Sequence, residues 1–216
     1  VHYKEDIFVG YRYADLYGTR RPIKYESQGE QYTINPPKRK ALYPFGFGLS
    51  YTTFEYGKAT LNGNVITVTV TNTGNRAGQE VVQLYVTDSK ASVVRPKKEL
   101  KGFTKVFLKA GESKTVTVKL DDKAFRYFNV KTDRWEIETA DYEIMVAASV
   151  SDVKLSQTIR VTGTEAHDPY GELPAYESGK IENVSDAEFE TLLGRPIPDG
   201  SWSGDLQAND AICQLY

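Results

Sequence analysis

Cysteine and histidine are almost absent from these 216 residues: one thiol, Cys213, and two imidazoles, His2 and His167. A lone thiol closes no intrachain disulfide, and so few soft or nitrogen donors leave no cluster from which a metal site is built. No metal and no cofactor is expected. Charge of either sign is not in excess, with 27 basic residues interspersed among 29 acidic ones and a formal net charge of -2. That balance gives no electrostatic footprint for nucleic acid or for an anionic membrane surface. No apolar run approaches the roughly 20 residues that span a bilayer, and no charged-then-apolar leader opens the chain. Methionine is as scarce, with Met145 alone, and the chain opens at Val1. It therefore reads as a piece of a longer polypeptide; a leader, if the parent has one, would lie upstream, so the compartment is out of view.

What is present is alternation. From residue 52 to 162, strand-length stretches place an apolar side chain at every second position, with turn residues between them. Ile66, Val68 and Val70 interleave with Thr67, Thr69 and Thr71, after the tight-turn residues Asn62-Gly63-Asn64. Val82, Leu84 and Val86 alternate with Gln83 and Tyr85, and Val116, Val118 and Leu120 with Thr115, Thr117 and Lys119. Tyr142, Ile144, Val146 and Ala148 face away from Asp141 and Glu143, and Ile159 and Val161 alternate with Thr158 and Arg160. Short strands with one apolar face each must bury those faces against one another, which two stacked antiparallel sheets accomplish. The expected fold is all-β, an antiparallel β-sandwich of the fibronectin-III/immunoglobulin type. Tyr142 starts a late strand, where such sandwiches place a tyrosine whose hydroxyl bonds back to a corner loop; an ordinary core or rim tyrosine is the other reading.

The flanks differ. Residues 1–48 are aromatic-rich and lack a core of their own, so Ile7, Phe8, Val9 and Tyr11 are expected to pack on a domain upstream. Residues 49–162 hold the sandwich. Residues 163–216 read as a polar, extended extension with one short helix, announced by the capping box Ser185-Asp186-Ala187-Glu188 and closed by Gly194 and Pro196.

Candidate chemistry is sparse. Three carboxylate pairs stand out: Glu5 with Asp6, Asp121 with Asp122, and Glu136 with Glu138. Each reads as solvated surface, since exposed carboxylates are the rule. Lys97, Lys98 and Lys101 read as the lysines that protect a sheet edge, and Arg95-Pro96 as the opening of an interdomain loop. Tyr43, Phe45 and Phe47, with glycines between them, suit either a hydrophobic seam between domains or a platform for sugar rings, the seam being favoured. Trp135, beside Ile137, reads as packed; Trp202 sits in a Gly/Ser/Asp-rich stretch.

Three segments in order carry a resemblance: Tyr3 to Tyr13 (YKEDIFVGYRY), Tyr43 to Thr52 (YPFGFGLSYT) and Arg95 to Phe103 (RPKKELKGF). Together with Val68 to Gly74, Val81 to Val86 and Asp141 to Ile144, they resemble the C-terminal part of family 3 glycoside hydrolases, the β-glucosidase-like enzymes, over residues 1–162. The resemblance implies an upstream barrel carrying an aspartate nucleophile and a following α/β sandwich carrying a glutamate acid/base, with a fibronectin-like domain that is not catalytic. Residues 1–48 are then the last strand of the α/β sandwich and its linker, and no catalytic residue lies in this chain. Retaining glycoside hydrolysis needs two carboxyl groups about 5 to 5.5 Å apart, and solvated faces of a β-sandwich do not supply them.

The implied role is a scaffold for the upstream catalytic domains, whose substrate would be a β-glucoside or oligosaccharide. An autonomous carbohydrate-binding or adhesion module, and one half of a split glycosidase, are the rivals. Between Tyr13 and Tyr43 the connection is longer than the family commonly has. If it approaches a neighbouring active site, Arg20 and Tyr25, with Tyr43, Phe45 and Phe47, are the substrate-proximal candidates, alongside Tyr17, Arg21 and Tyr32.

Overall fold

The computed structural model describes residues 4, 6–17, 23–27, 30–34, 41–88, 90–164 and 171–198, with backbone only for 16–17, 23–27 and 30–34. The chain begins with a turn in which Asp6 takes a left-handed φ of 43° and Gly10 one of 63°. Helix α1 (Tyr11–Tyr17) follows, and strands β1 (Ile23–Ser27) and β2 (Glu30–Ile34) form an antiparallel hairpin. Within residues 1–48, the described residues before β1 are turn and helix. Glycine at position 10 adopts the left-handed conformation without a Cβ penalty, and its carbonyl accepts the first helical bond, from Ala14 at 3.2 Å.

Seven strands make the sandwich. One sheet has three, in the order β3 (Phe54–Asn62), β4 (Val65–Asn72) and β7 (Ser113–Lys119). The other has four, in the order β11 (Asp152–Val161), β10 (Ala140–Ser149), β5 (Gly78–Thr87) and β6 (Glu99–Leu108). All their pairings are antiparallel. Ile66, Val68, Val70, Leu84, Ile144 and Val146 meet in the core between the sheets. The outward threonines of β4 pair with those of β7: Thr69 lies 3.2 Å from Thr115, and Thr71 2.8 Å from Ser113, hydroxyl to hydroxyl. Polar alternation and the wet face therefore coincide on this sheet.

A 3-10 turn capped by the Asp121 side chain leads into the hairpin of β8 (Arg126–Asn129) and β9 (Arg134–Ile137). After it, the Tyr142 hydroxyl, fully buried, donates to the carbonyl of Glu138 at 3.1 Å. The corner reading of Tyr142 is the one that holds.

The C-terminal extension is more structured than its polar composition announces. Residues 171–198 carry helix α2 (Pro174–Glu177), a 3-10 turn (Ile181–Asn183) and helix α3 (Asp186–Leu193). The capping box at Ser185 and Glu188 forms, and Gly194 ends α3 with a φ of 76°. Leu173, Tyr176, Ile181 and Val184 are buried against Phe8, Tyr13, Val93 and Tyr127 in a second core, flanked by Phe189 and Leu192 of α3. Phe8 and Tyr13 are thus covered by this chain's own extension rather than by another domain. Each such aromatic contributes about 1.5 to 3 kcal/mol of burial, enough to order helices too short to persist alone. The two ends of the described chain are also tied directly, by Tyr176 donating to the Lys4 carbonyl at 2.9 Å and by the Lys4–Asp186 ion pair.

Candidate functional site

The outer face of the four-stranded sheet is where the N-terminal segments meet the sandwich. Tyr85, Met145, Ala147 and Val150 are buried there beneath Tyr11 and Leu100. Alternation along β5 and β10 predicts a wet face at Gln83 and Tyr85; both are buried instead. The cover is supplied by α1 and by the loop of residues 41–51.

Tyr11 is held twice: its ring stacks on Phe45 with centroids 4.2 Å apart and planes 13° from parallel, and its hydroxyl oxygen accepts from the Leu100 amide at 3.0 Å. Two ion pairs add to the grip on α1. Lys98 reaches Asp15 at 3.4 Å, and Arg12 reaches Glu99 at 3.7 Å. Lys98 also donates to the Val150 carbonyl at 2.7 Å. It is a tether rather than an edge lysine. Lys101 pairs with Glu99 at 2.7 Å, whereas Lys97 is exposed.

The aromatic loop is anchored through Gln83. Its amide nitrogen donates to the carbonyls of Gly46 at 3.0 Å and Ala148 at 2.7 Å, while its oxygen accepts from Tyr85 at 2.7 Å. Val150 donates its amide to the Phe45 carbonyl at 3.0 Å. Phe45 gives one ring face to Tyr11; Tyr43 and Phe47 tilt against each other at 45° with centroids 5.5 Å apart. Leu42, Tyr43, Leu49 and Tyr51 are largely exposed, and so are Phe103 and Phe107 on β6. Phe103 stands opposite Gln83 in the sheet register, beside the loop. Phe103 and Phe107 escaped the sequence reading, although both sit among lysines in the edge segment where an outward aromatic is a visible anomaly. Among the substrate-proximal candidates, Arg20 lies outside the described residues, as does Arg21, and Tyr17, Tyr25 and Tyr32 are described in backbone only.

The carboxylate pairs come out differently from one another. Asp6 sits in the N-terminal turn, Asp121 caps the 3-10 turn, and Asp122 pairs with Arg126 at 3.0 Å. Glu136 and Glu138 are not surface: they are 1% and 6% exposed. Glu136 accepts from Tyr127 and Asn129 at 2.9 Å and from Thr132 at 2.7 Å, and pairs with Arg134 at 3.3 Å. That set of donors explains why β9 turns Glu136 inward and leaves Trp135 58% exposed, the reverse of what their hydropathy suggests.

Glu138 accepts from the Ser92 amide at 2.8 Å with one oxygen, and Asp88 accepts from the Lys90 amide at 3.0 Å. Their second oxygens are buried without a hydrogen bond among the described residues. Burial pushes the Asp88 carboxyl above its ordinary range, the Lys90 amide opposing and Glu138 reinforcing the shift. Arg95 belongs to this cluster. Its side chain is 7% exposed, donates to the carbonyls of Phe125 at 2.9 Å and Arg126 at 3.1 Å, and lies 5.7 Å from the Tyr142 ring centre. Arg95 is part of the sandwich rather than of an interdomain loop.

Comparison with known proteins matches these parts together. The fibronectin type III-like domain family matches residues 80–150. Over 172 residues the chain is 45% identical to thermostable β-glucosidase B of Acetivibrio thermocellus, covering 76% of the chain and 20% of that enzyme. Over 227 residues it is 42% identical to the exo-α-(1→6)-L-arabinopyranosidase of Bifidobacterium longum, covering 93% and 27%. Among solved structures, the GH3 β-glucosidase of Bifidobacterium adolescentis superposes with a TM-score of 0.60 at 38% identity, over 81% of this chain and 25% of that one. The chain thus spans about a fifth to a quarter of the length of these relatives.

Proposed function

The chain carries the fibronectin type III-like domain of the family 3 β-glucosidases, and from that premise we propose that it is a non-catalytic brace within a longer retaining glycoside hydrolase. The whole enzyme would remove terminal non-reducing β-D-glucosyl residues. Upstream domains supply its aspartate nucleophile and glutamate acid/base.

The observation that carries this reading is the grip on α1. Tyr11, Arg12 and Asp15 lie within the two turns of one short helix, and each is tied to a different residue of β6 or of the loop leading into it. In the order implied by the family, α1 belongs to the end of the domain that bears the acid/base residue. Fixing it to a rigid sandwich holds that domain in register, and displacements of about 1 Å at a reacting group cost on the order of a hundredfold in rate. The exposed aromatics Tyr43, Phe47, Phe103 and Phe107 then line the seam with the catalytic domains. Arg20, Tyr25, Tyr43, Phe45 and Phe47 are the side chains this part would bring nearest a substrate. Relatives more than 40% identical here are named for different sugars, a β-glucosidase and an arabinopyranosidase. That fits a part that does not choose the sugar.

The test is a chimera in which this chain replaces the matching stretch of the Acetivibrio thermocellus enzyme. Activity on an aryl β-glucoside is expected from the chimera and not from the chain alone, and Lys98→Met in the chimera should lower kcat by on the order of tenfold. Hydrolysis by the isolated chain, abolished by changing one of its own carboxylates, would overturn the proposal.

A further inference from the structure

A groove of about 600 Å³ opens between the β8–β9 hairpin, the N-terminal turn, the β5–β6 connection and α3. Its size is that of small-molecule sites, which run from roughly 300 to 1,000 Å³. The lining contains five cationic side chains, Arg12, Arg95, Lys101, Lys123 and Arg126, against two carboxylates, Asp6 and Glu99, in a chain whose net charge is -2. Three of those cations converge on one acid: Glu99 takes Lys101 at 2.7 Å, Arg12 at 3.7 Å and Arg95 at 3.9 Å. Glu99 is itself only 15% exposed, so one carboxylate serves three partly desolvated cations, and their mutual repulsion is left uncompensated. Burial raises the pKa of the other lining carboxyl, Asp6, against the Ile7 amide hydrogen bond. Arg126 has its own acid, Asp122, outside the lining; the Lys123 ammonium is exposed. The remaining wall is apolar, mostly aliphatic, and aromatic in Tyr127, Phe128 and Trp135, the last more than half exposed.

We propose that this groove binds an anionic saccharide, the apolar face of a pyranose ring lying on the Trp135 indole and its carboxylate completing the charge around Arg12, Lys101 and Lys123. An indole face suits a ring with C–H groups on one side, and surplus cations in a half-enclosed site favour a ligand that brings negative charge. A neutral sugar meets only the first requirement, and a simple anion only the second. The proposal does not depend on the bracing role, since binding is read on this chain without any catalytic domain.

The experiment titrates the 216-residue chain with glucuronate, glucose and acetate, following amide NMR shifts and indole fluorescence. Saturable binding of glucuronate near ~1 mM is expected, with glucose and acetate at least several-fold weaker. Trp135→Ala should weaken glucuronate binding by about tenfold, and Lys123→Gln, at an exposed position that should not disturb folding, by roughly threefold. Equal binding of glucose and glucuronate, equal binding of acetate and glucuronate, or glucuronate binding that survives both substitutions would each overturn the proposal. So would shifts confined to residues outside the groove.

Discussion

The side-chain amide of Gln83 and the backbone of Gly46 are in direct contact: the nitrogen donates to the Gly46 carbonyl at 3.0 Å, and a Cβ built on Gly46 would stand 2.0 Å from the Gln83 oxygen. Position 46 also has a φ of 78°. Glycine is needed there for two separate reasons, conformation and space, and both act on the same loop. Gly46→Ala should therefore cost roughly 2 kcal/mol, the strain of a non-glycine left-handed residue plus displacement of Gln83. Thermal melting by circular dichroism checks it, with a fall of about 4 to 8 °C expected.

Tyr142→Phe removes one hydroxyl from a filled site. The bond to the Glu138 carbonyl is lost and the ring remains, so a destabilisation of about 1 kcal/mol follows. Urea unfolding should show a lower midpoint with an unchanged slope; a larger loss would mean that Arg95, 3.4 Å from the hydroxyl, depends on it too.

Asp88→Asn is expected to stabilise the chain at neutral pH. Burial holds the folded-state pKa of Asp88 above its unfolded value, so the fold favours the protonated form. This group costs nothing below the unfolded pKa, its penalty grows as pH rises between the two pKa values, and it is constant above the folded one. Melting of the two proteins at several pH values should show an Asn advantage at pH 7 that shrinks to nothing by about pH 3.

Phe103→Ser and Phe107→Ser change side chains that are 67% and 49% exposed. The stability of the isolated chain should stay within about 0.5 kcal/mol, and its solubility should rise. In the chimera with the Acetivibrio thermocellus enzyme the same changes should lower the melting temperature. An unaltered chimera would place the seam elsewhere.

Much of the sandwich was legible because it rests on local rules. Thr67, Thr69 and Thr71 mark the outer face of β4, and Ser185 with Glu188 marks the start of α3, each within a few residues of sequence. What escaped depends on distant cover. Tyr85 and Met145 sit where alternation predicts water, and Tyr11, far away in the chain and stacked on Phe45, covers them together with Leu100. The inversion of Trp135 and Glu136 has a similar origin: a carboxylate is driven inside when Tyr127, Asn129, Thr132 and Arg134 all converge on it, and no window of residues 134–137 reveals that. The second core was missed for want of periodicity, since Leu173, Tyr176, Ile181 and Val184 come from two short elements and their caps rather than one amphipathic helix. In the candidate site, the aromatic loop was visible from composition; its anchor Gln83 was not, because a glutamine in a strand is ordinarily polar surface.

The bond from Tyr176 to the Lys4 carbonyl brings together residues 172 apart. A polypeptide that arrives at Lys4 and departs along α3 does so through neighbouring points on one side of the molecule. Such a unit can be spliced into a host structure like a bead on a closed loop, without prising apart what lies on either side. It would also transmit pulling across that clasp before any strand of the sandwich felt the load.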